Sequence, residues 1–145
     1  MTETEISYEI RGAIFDVYNK LGSGLLESVY EVAMASELRK RGLKVERQVR
    51  IPVVYGEEVV EDAFRLDLLV EQKVIIERKS VLEMKNVVFL HLLTYFKLTG
   101  KHLGLLVNFN TDDIAHSIFP SNLVKRIYPC LSVKSVGEKY AEVVV

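Results

Sequence analysis

Apolar residues recur at Ile6, Ile10, Ala13, Ile14, Val17 and Leu21, the spacing of one helix face, and Gly22 follows as a stop, so a first helix is expected over about 6–21. After the tight turn Leu21-Gly22-Ser23-Gly24, a second helix is expected over about 25–41, with Gly42 just past its end where a glycine cap is favoured. The pattern then turns to strands. One covers about 44–54, with Pro52 marking an edge or a strand end, and a turn follows at Tyr55-Gly56-Glu57-Glu58. A short run starts at Val59, and two aliphatic, β-branched segments at 64–70 and 74–79 flank a polar break at 71–73. A third helix is expected over about 84–99, closed by Gly100, and a buried strand over 103–109 completes a β-α-β unit of right-handed sense. The last element expected is 124–128. Beyond Pro129 the tail alternates weakly to Glu142-Val143-Val144-Val145, as an extra strand or a partner-binding extension would.

Charged residues interrupt the two hairpin strands at Asp67 and at Glu77-Arg78-Lys79. Side chains alternate faces along a strand, so Glu77 and Lys79 point the same way and Arg78 the opposite way. Register decides whether Asp67 joins Glu77. A three-residue loop at 71–73 pairs Val70 with Val74 and sets Asp67 opposite Glu77, with Cβ atoms about 4.5–5.5 Å apart. A two-residue loop would set Asp67 opposite Ile76 and turn the whole strand over. The odd loop is therefore expected.

Two carboxylates this close repel unless a positive charge lies between them. A hard divalent cation such as Mg²⁺ or Mn²⁺ suits them, because it prefers oxygen ligands and keeps several waters. Lys79 would then orient or deprotonate an attacking water and steady the charge that develops on a scissile phosphate. A plainer reading also fits: Lys79 neutralises the two acids in a partly exposed ion-pair cluster. Glu-x-Lys alone discriminates little, since it also occurs at Glu71-Gln72-Lys73 and Glu83-Met84-Lys85; only Glu77-Arg78-Lys79 lies within strand-like sequence.

Other candidates lie on the helices and the first strand. Glu27 shares a helix face with Tyr30, Glu31, Met34 and Leu38. It is either a further metal ligand or neighbour of Asp67 and Glu77, or a first-turn acid favoured by the helix dipole. His91 is either a hydrogen-bonded core or boundary residue or a donor to a substrate phosphate. Tyr95 reads as core. Arg39, Lys40, Arg41, Lys44, Arg47 and Arg50 oppose Glu46 alone between 39 and 50. Arg39, Arg41, Lys44 and Arg47 are the candidates for contacting nucleic-acid phosphates, against a solvated helix end that favours cations.

With 145 residues, 49% of them hydrophobic, and no linker-like or repetitive tract, the chain is expected to form one domain, 1–145, with its core at about 6–128 and an extension at 129–145. The net charge of −1 gives no global attraction to nucleic acid. The acidic start Met1-Thr2-Glu3-Thr4-Glu5 does not resemble a signal peptide, and no apolar run is long enough to cross a membrane. Cys130 is the only cysteine, which excludes an internal disulfide and fits a reducing cytoplasm.

Gly24-Leu25-Leu26-Glu27-Ser28-Val29-Tyr30 resembles the signature of the GxxExxY proteins, which are assigned to the PD-(D/E)xK nuclease-like superfamily. The resemblance extends through Arg65-Leu66-Asp67-Leu68-Leu69-Val70, Glu77-x-Lys79, Leu92-Leu93-Thr94-Tyr95-Phe96-Lys97-Leu98-Thr99-Gly100 and Gly104-Leu105-Leu106-Val107-Asn108-Phe109, over about 6–128. It implies an α/β, restriction-endonuclease-like mixed β-sheet flanked by helices. It places Asp67, Glu77 and Lys79 at the metal and catalytic positions and Glu27 as the acid from an early helix. Three departures stand out: Tyr18 where relatives often have histidine, His91 where glutamine is common, and Arg78 where an apolar residue is usual. Arg78 is expected at a sheet end or reaching back to pair with an acid. The expected function is a Mg²⁺- or Mn²⁺-dependent phosphodiester hydrolase acting on DNA. The alternative is a noncatalytic module of the same fold that binds nucleic acid or a protein.

Overall fold

A computed structural model describes residues 1–127. The expectations for Tyr128 and for the 129–145 extension lie outside these residues. The first helix, α1 (Glu3–Leu21), starts earlier than its apolar stripe because Thr2 and Glu5 form a reciprocal capping box. Helix α2 (Glu27–Lys40) follows, then strands β1 (Val45–Tyr55), β2 (Glu58–Val70) and β3 (Val74–Lys79). Helix α3 (Asn86–Thr99) leads into β4 (Leu103–Asn108), and a 3-10 turn at Ile114–His116 precedes β5 (Ile118–Pro120) and α4 (Ser121–Ile127).

The strands form one mixed sheet in the order β1-β2-β3-β4-β5. Only β3 and β4 run parallel, joined through α3, and the other neighbours are antiparallel. Pro52 lies on the edge strand β1 at a break in register between Ile51 and Val53, where a missing N–H is tolerated. The expected break between the run from Val59 and the strand at 64–70 is absent: β2 is continuous and pairs with β1 from Glu58 to Val70. Its outer half is exposed on both faces, so polar and apolar residues mix there without ending the strand.

Alternation along the sheet divides the core into two layers. Leu68, Val70, Val74, Ile76, Leu105 and Val107 pack with the stripe Ile6, Ile10, Ile14 of α1 and with Tyr30, Met34 and Leu38 of α2. Leu66, Leu69, Ile75 and Leu106 pack on the opposite face against Phe89, Leu92, Leu93 and Phe96 of α3 and Val124 of α4. Gly104 lets α3 approach closely, because a Cβ there would meet the Phe96 ring at 2.7 Å and the Ile75 carbonyl at 3.0 Å.

The turn that delivers α2 to the sheet is held by a buried tyrosine. Gly24 takes φ +88°, a conformation open to glycine. The Tyr30 hydroxyl donates to the Gly22 carbonyl at 2.6 Å and accepts from the Leu25 N–H at 3.2 Å, while its ring stacks on Phe109 at 4.4 Å. Tyr30→Phe keeps the stack and leaves both backbone groups without that partner. It is expected to cost about 1–3 kcal/mol in a urea titration.

Candidate metal and catalytic site

The β2–β3 hairpin has the odd loop expected from the alternation. Glu71 and Gln72 both take left-handed backbone angles, Lys73 N–H donates to the Val70 carbonyl, and Val70 pairs with Val74. Pairing continues through Leu69↔Ile75 and Leu68↔Ile76, where the ladder ends. Asp67 and Glu77 follow beyond the last pair, and alternation from Ile75 sets Glu77 on the α3 side. Here side chains replace the ladder: the Asp67 N–H donates to Glu77 Oε1 at 3.1 Å, and the Arg78 N–H donates to Asp67 Oδ2 at 3.0 Å. Each acid thus accepts a backbone N–H of the facing strand.

Burial raises the proton affinity of both acids. Glu77 is held well above the ordinary carboxylate range, by burial first and by the charge of Asp67 second. Asp67 is also raised by burial, against the opposing pull of the Arg78 charge, the Arg78 N–H and Lys79. Lys79 is half-buried and lowers both acids through space, without a hydrogen bond or ion pair to either among the described residues. Its backbone is fixed from β4, where the Phe109 N–H donates to the Lys79 carbonyl at 2.8 Å. The chain leaving β3 is clasped by the buried Asn108 amide, which accepts from the Val81 N–H at 3.1 Å and donates to the Val81 carbonyl at 2.9 Å.

Tyr95, read from sequence as core, is buried and also senses this site. Its hydroxyl is pushed up, by burial first and then by the charges of Glu77 and Asp67, so it remains a protonated donor at neutral pH. His91 lies one helical turn before Tyr95 and is exposed to solvent. The core or boundary reading of His91 is therefore corrected: Leu92 and Leu93 turn inward and His91 outward. The Tyr18 hydroxyl donates instead to the Thr111 carbonyl.

Glu27 stands in the first turn of α2 and does not join Asp67 and Glu77 in a three-acid set. Its Oε1 accepts from the Ser80 N–H at 3.3 Å and its Oε2 pairs with Arg78 Nη1 at 3.3 Å. Among the described residues, no group of three or more His, Cys, Asp or Glu side chains is placed to hold one metal ion. The physical reason lies in Arg78, whose Nη1 also pairs with Asp67 Oδ2 at 3.1 Å and whose Nη2 pairs with the buried Glu31. Glu31 is further bound by Arg47 Nε at 3.1 Å and by Gln48 Nε2 at 2.8 Å. Gln48 reaches it from a left-handed backbone at φ +51°. The helical spacing of Glu27 and Glu31 was a usable signal for this network; Gln48 and Asn108 had none beyond being polar.

The basic segment does not form one free patch. Arg41 lies between α1 and α2, paired with Glu9 at 2.8 Å and Asp16 at 2.6 Å, and Arg47 is committed to Glu31. Acids on neighbouring elements capture these two cations, which the local sequence did not display. Arg39 and Lys44 remain exposed, with Arg39 Nη2 donating to the Val45 carbonyl at 3.1 Å.

A single mixed sheet with α1 and α2 on one face and α3 and α4 on the other is consistent with the restriction-endonuclease-like fold. Residues 4–119 match the family described as the PD-(D/E)XK nuclease superfamily, and the chain belongs to that superfamily. No curated protein and no solved structure gives a significant match. Members of the superfamily typically use divalent metal ions. The donor chemistry of Asp67 and Glu77 fits such an ion: burial raises the proton affinity of both carboxylates, the Asp67 charge raises that of Glu77 further, and a hard cation relieves both. No helix among the described residues is long and apolar enough to cross a membrane.

Proposed function

We propose that this chain is a phosphodiester hydrolase dependent on Mg²⁺ or Mn²⁺ and acting on DNA, within the single domain 1–145 and in the cytoplasm. The observation that carries the reading is the opening of the hairpin at Asp67 and Glu77, where two desolvated acids face each other with Lys79 beside them. The Gly24-Leu25-Leu26-Glu27-Ser28-Val29-Tyr30 signature supports the finer placement among GxxExxY proteins.

Asp67 and Glu77 would hold the cation, together with water and the Arg78 carbonyl. A bound divalent ion supplies Lewis-acid polarisation of a phosphate oxygen and lowers the pKa of a coordinated water. Lys79 orients the attacking water and balances charge on the phosphate as the transition state forms. Tyr95 lends a protonated hydroxyl on the α3 side. His91, exposed one turn before Tyr95, would contact a substrate phosphate. Arg39 and Lys44 are exposed cations of the basic segment that would contact the backbone of a longer substrate.

Calorimetry with Mn²⁺ tests the metal centre without a choice of substrate. The wild-type protein is expected to bind one ion, and Asp67→Asn, which keeps an oxygen for the Arg78 N–H, is expected to weaken binding at least about tenfold through loss of one charged ligand. Equal affinities would refute Asp67 as a ligand. The second reading, a noncatalytic module that binds nucleic acid or a protein, draws on the Arg78 pairing that already supplies Asp67 with a cation. Mn²⁺-independent DNA binding without cleavage would favour it.

A further inference from the structure

Arg78 departs from the apolar residue usual between the acid and the lysine, and its surroundings give that departure a role. β3 alternation sends its side chain to the face opposite Glu77, beneath α2. There the guanidinium is nearly buried, with 10% of the side chain exposed. Its Nη2 is committed to Glu31, and its Nη1 serves Glu27 Oε2 at 3.3 Å and Asp67 Oδ2 at 3.1 Å together. Its Nε is buried without a hydrogen-bond partner among the described residues, so three acids rather than its own donor satisfaction set its position. Neither oxygen of Glu27 is free, since the Ser80 N–H occupies the other.

We infer that the Arg78 guanidinium occupies the place where a cation would otherwise bridge Glu27 and Asp67, so that Glu27 anchors Arg78 and does not ligate metal in this chain. Arg78 is then a positioning residue. It fixes Asp67 beside Glu77 through both its backbone N–H and Nη1, and it limits the metal shell to oxygens on the Glu77 side. The inference rests on the hydrolase reading only for the ion at Asp67 and Glu77.

Mn²⁺ titration by calorimetry of four proteins, wild type, Glu27→Gln, Arg78→Met and the double variant, separates the possibilities. In wild type, Glu27→Gln is expected to change affinity by less than about twofold. Arg78→Met is expected to raise affinity at least about tenfold, because a competing unit charge within a few ångströms is removed and Glu27 is released. Adding Glu27→Gln to Arg78→Met is expected to reverse most of that gain. The dependence on Glu27 distinguishes replacement of a bridging cation from a general electrostatic effect, in which Glu27→Gln acts alike in both backgrounds.

Should Arg78→Met fail to fold, the same comparison is made with Arg78→Met/Glu31→Gln, which neutralises the most buried acid. Loss of affinity on Glu27→Gln in wild type overturns the inference by making Glu27 a ligand. An equal effect of Glu27→Gln in both backgrounds, or no Mn²⁺ binding by any variant, also overturns it. Binding absent in wild type but present in Arg78→Met, and lost with Glu27→Gln, upholds the inference and refutes the metal-dependent hydrolase reading of the native chain.

Discussion

Lys79→Ala is expected to lower Mn²⁺-dependent DNA cleavage about 10²–10³-fold while leaving Mn²⁺ affinity within about threefold, the loss typical when one preorganised group that stabilises transition-state charge is removed. Two features support this split. Lys79 makes no hydrogen bond or ion pair with Asp67 or Glu77 among the described residues, so its removal does not dismantle the carboxylate pair. Its backbone is set independently by β4, through the Phe109 N–H and the parallel pairing of Lys79 with Asn108. The ammonium therefore contributes its charge at a fixed place. Single-turnover cleavage at saturating Mn²⁺ checks the rate, and calorimetry checks the affinity. Unchanged cleavage by Lys79→Ala would leave Lys79 as a neutraliser of the two acids only.

The second large effect concerns the metal-free protein and pH. Burial and the neighbouring Asp67 charge raise Glu77 in the folded state, so the folded protein binds this proton more tightly than the unfolded chain. For an acid raised in this way, stability is fully present below the unfolded value, 4.5, and is lost as pH rises through the higher folded value. Over that window wild type is expected to lose stability relative to Glu77→Gln at up to about 1.4 kcal/mol per pH unit. Gln keeps an oxygen for the Asp67 N–H without a charge, so the variant is expected to melt above wild type at pH 8 and to lose that advantage at pH 4. Mn²⁺ is expected to narrow the gap at pH 8 by stabilising wild type selectively. Parallel pH–stability curves for the two proteins would contradict the assignment of Glu77 as an uncompensated buried acid.

The same charge logic explains which parts of the molecule were legible in the sequence. The alternation through 64–70 and 74–79 pointed to the odd register, because a two-residue loop would have turned Leu68 and Val70 away from their packing partners on α1 and α2. Helix faces were equally plain: Ile6, Ile10, Ala13, Ile14 and Val17 are all buried on α1. The three-residue β5 was missed, since Ile118-Phe119-Pro120 is too short to show a period and ends in proline. The continuity of β2 was missed because its outer half pairs with β1 alone and buries little.

Site residues divide in the same way. Asp67 and Glu77 are related by local register, and one hairpin suffices to place them together. The destination of Glu27 depends on how α2 crosses β3, and the local pattern held both the ligand and the helix-start readings. Arg78 was placed correctly on the opposite face, with reach toward an acid as one of its two expected uses. That it meets Glu27, Glu31 and Asp67 together required the tertiary structure. Arg41 and Arg47 look like surface cations only until α1 and α2 bring Glu9, Asp16 and Glu31 to them.

The proposed hydrolase depends on a cation held by Asp67 and Glu77. Anomalous diffraction from a crystal equilibrated with Mn²⁺ tests it most directly. A peak is expected between the two carboxylates, about 2.0–2.6 Å from an oxygen of each, with Arg78 still paired to Glu27. A peak elsewhere, or none at saturating Mn²⁺ with both carboxylates still accepting their backbone N–H groups, would contradict it.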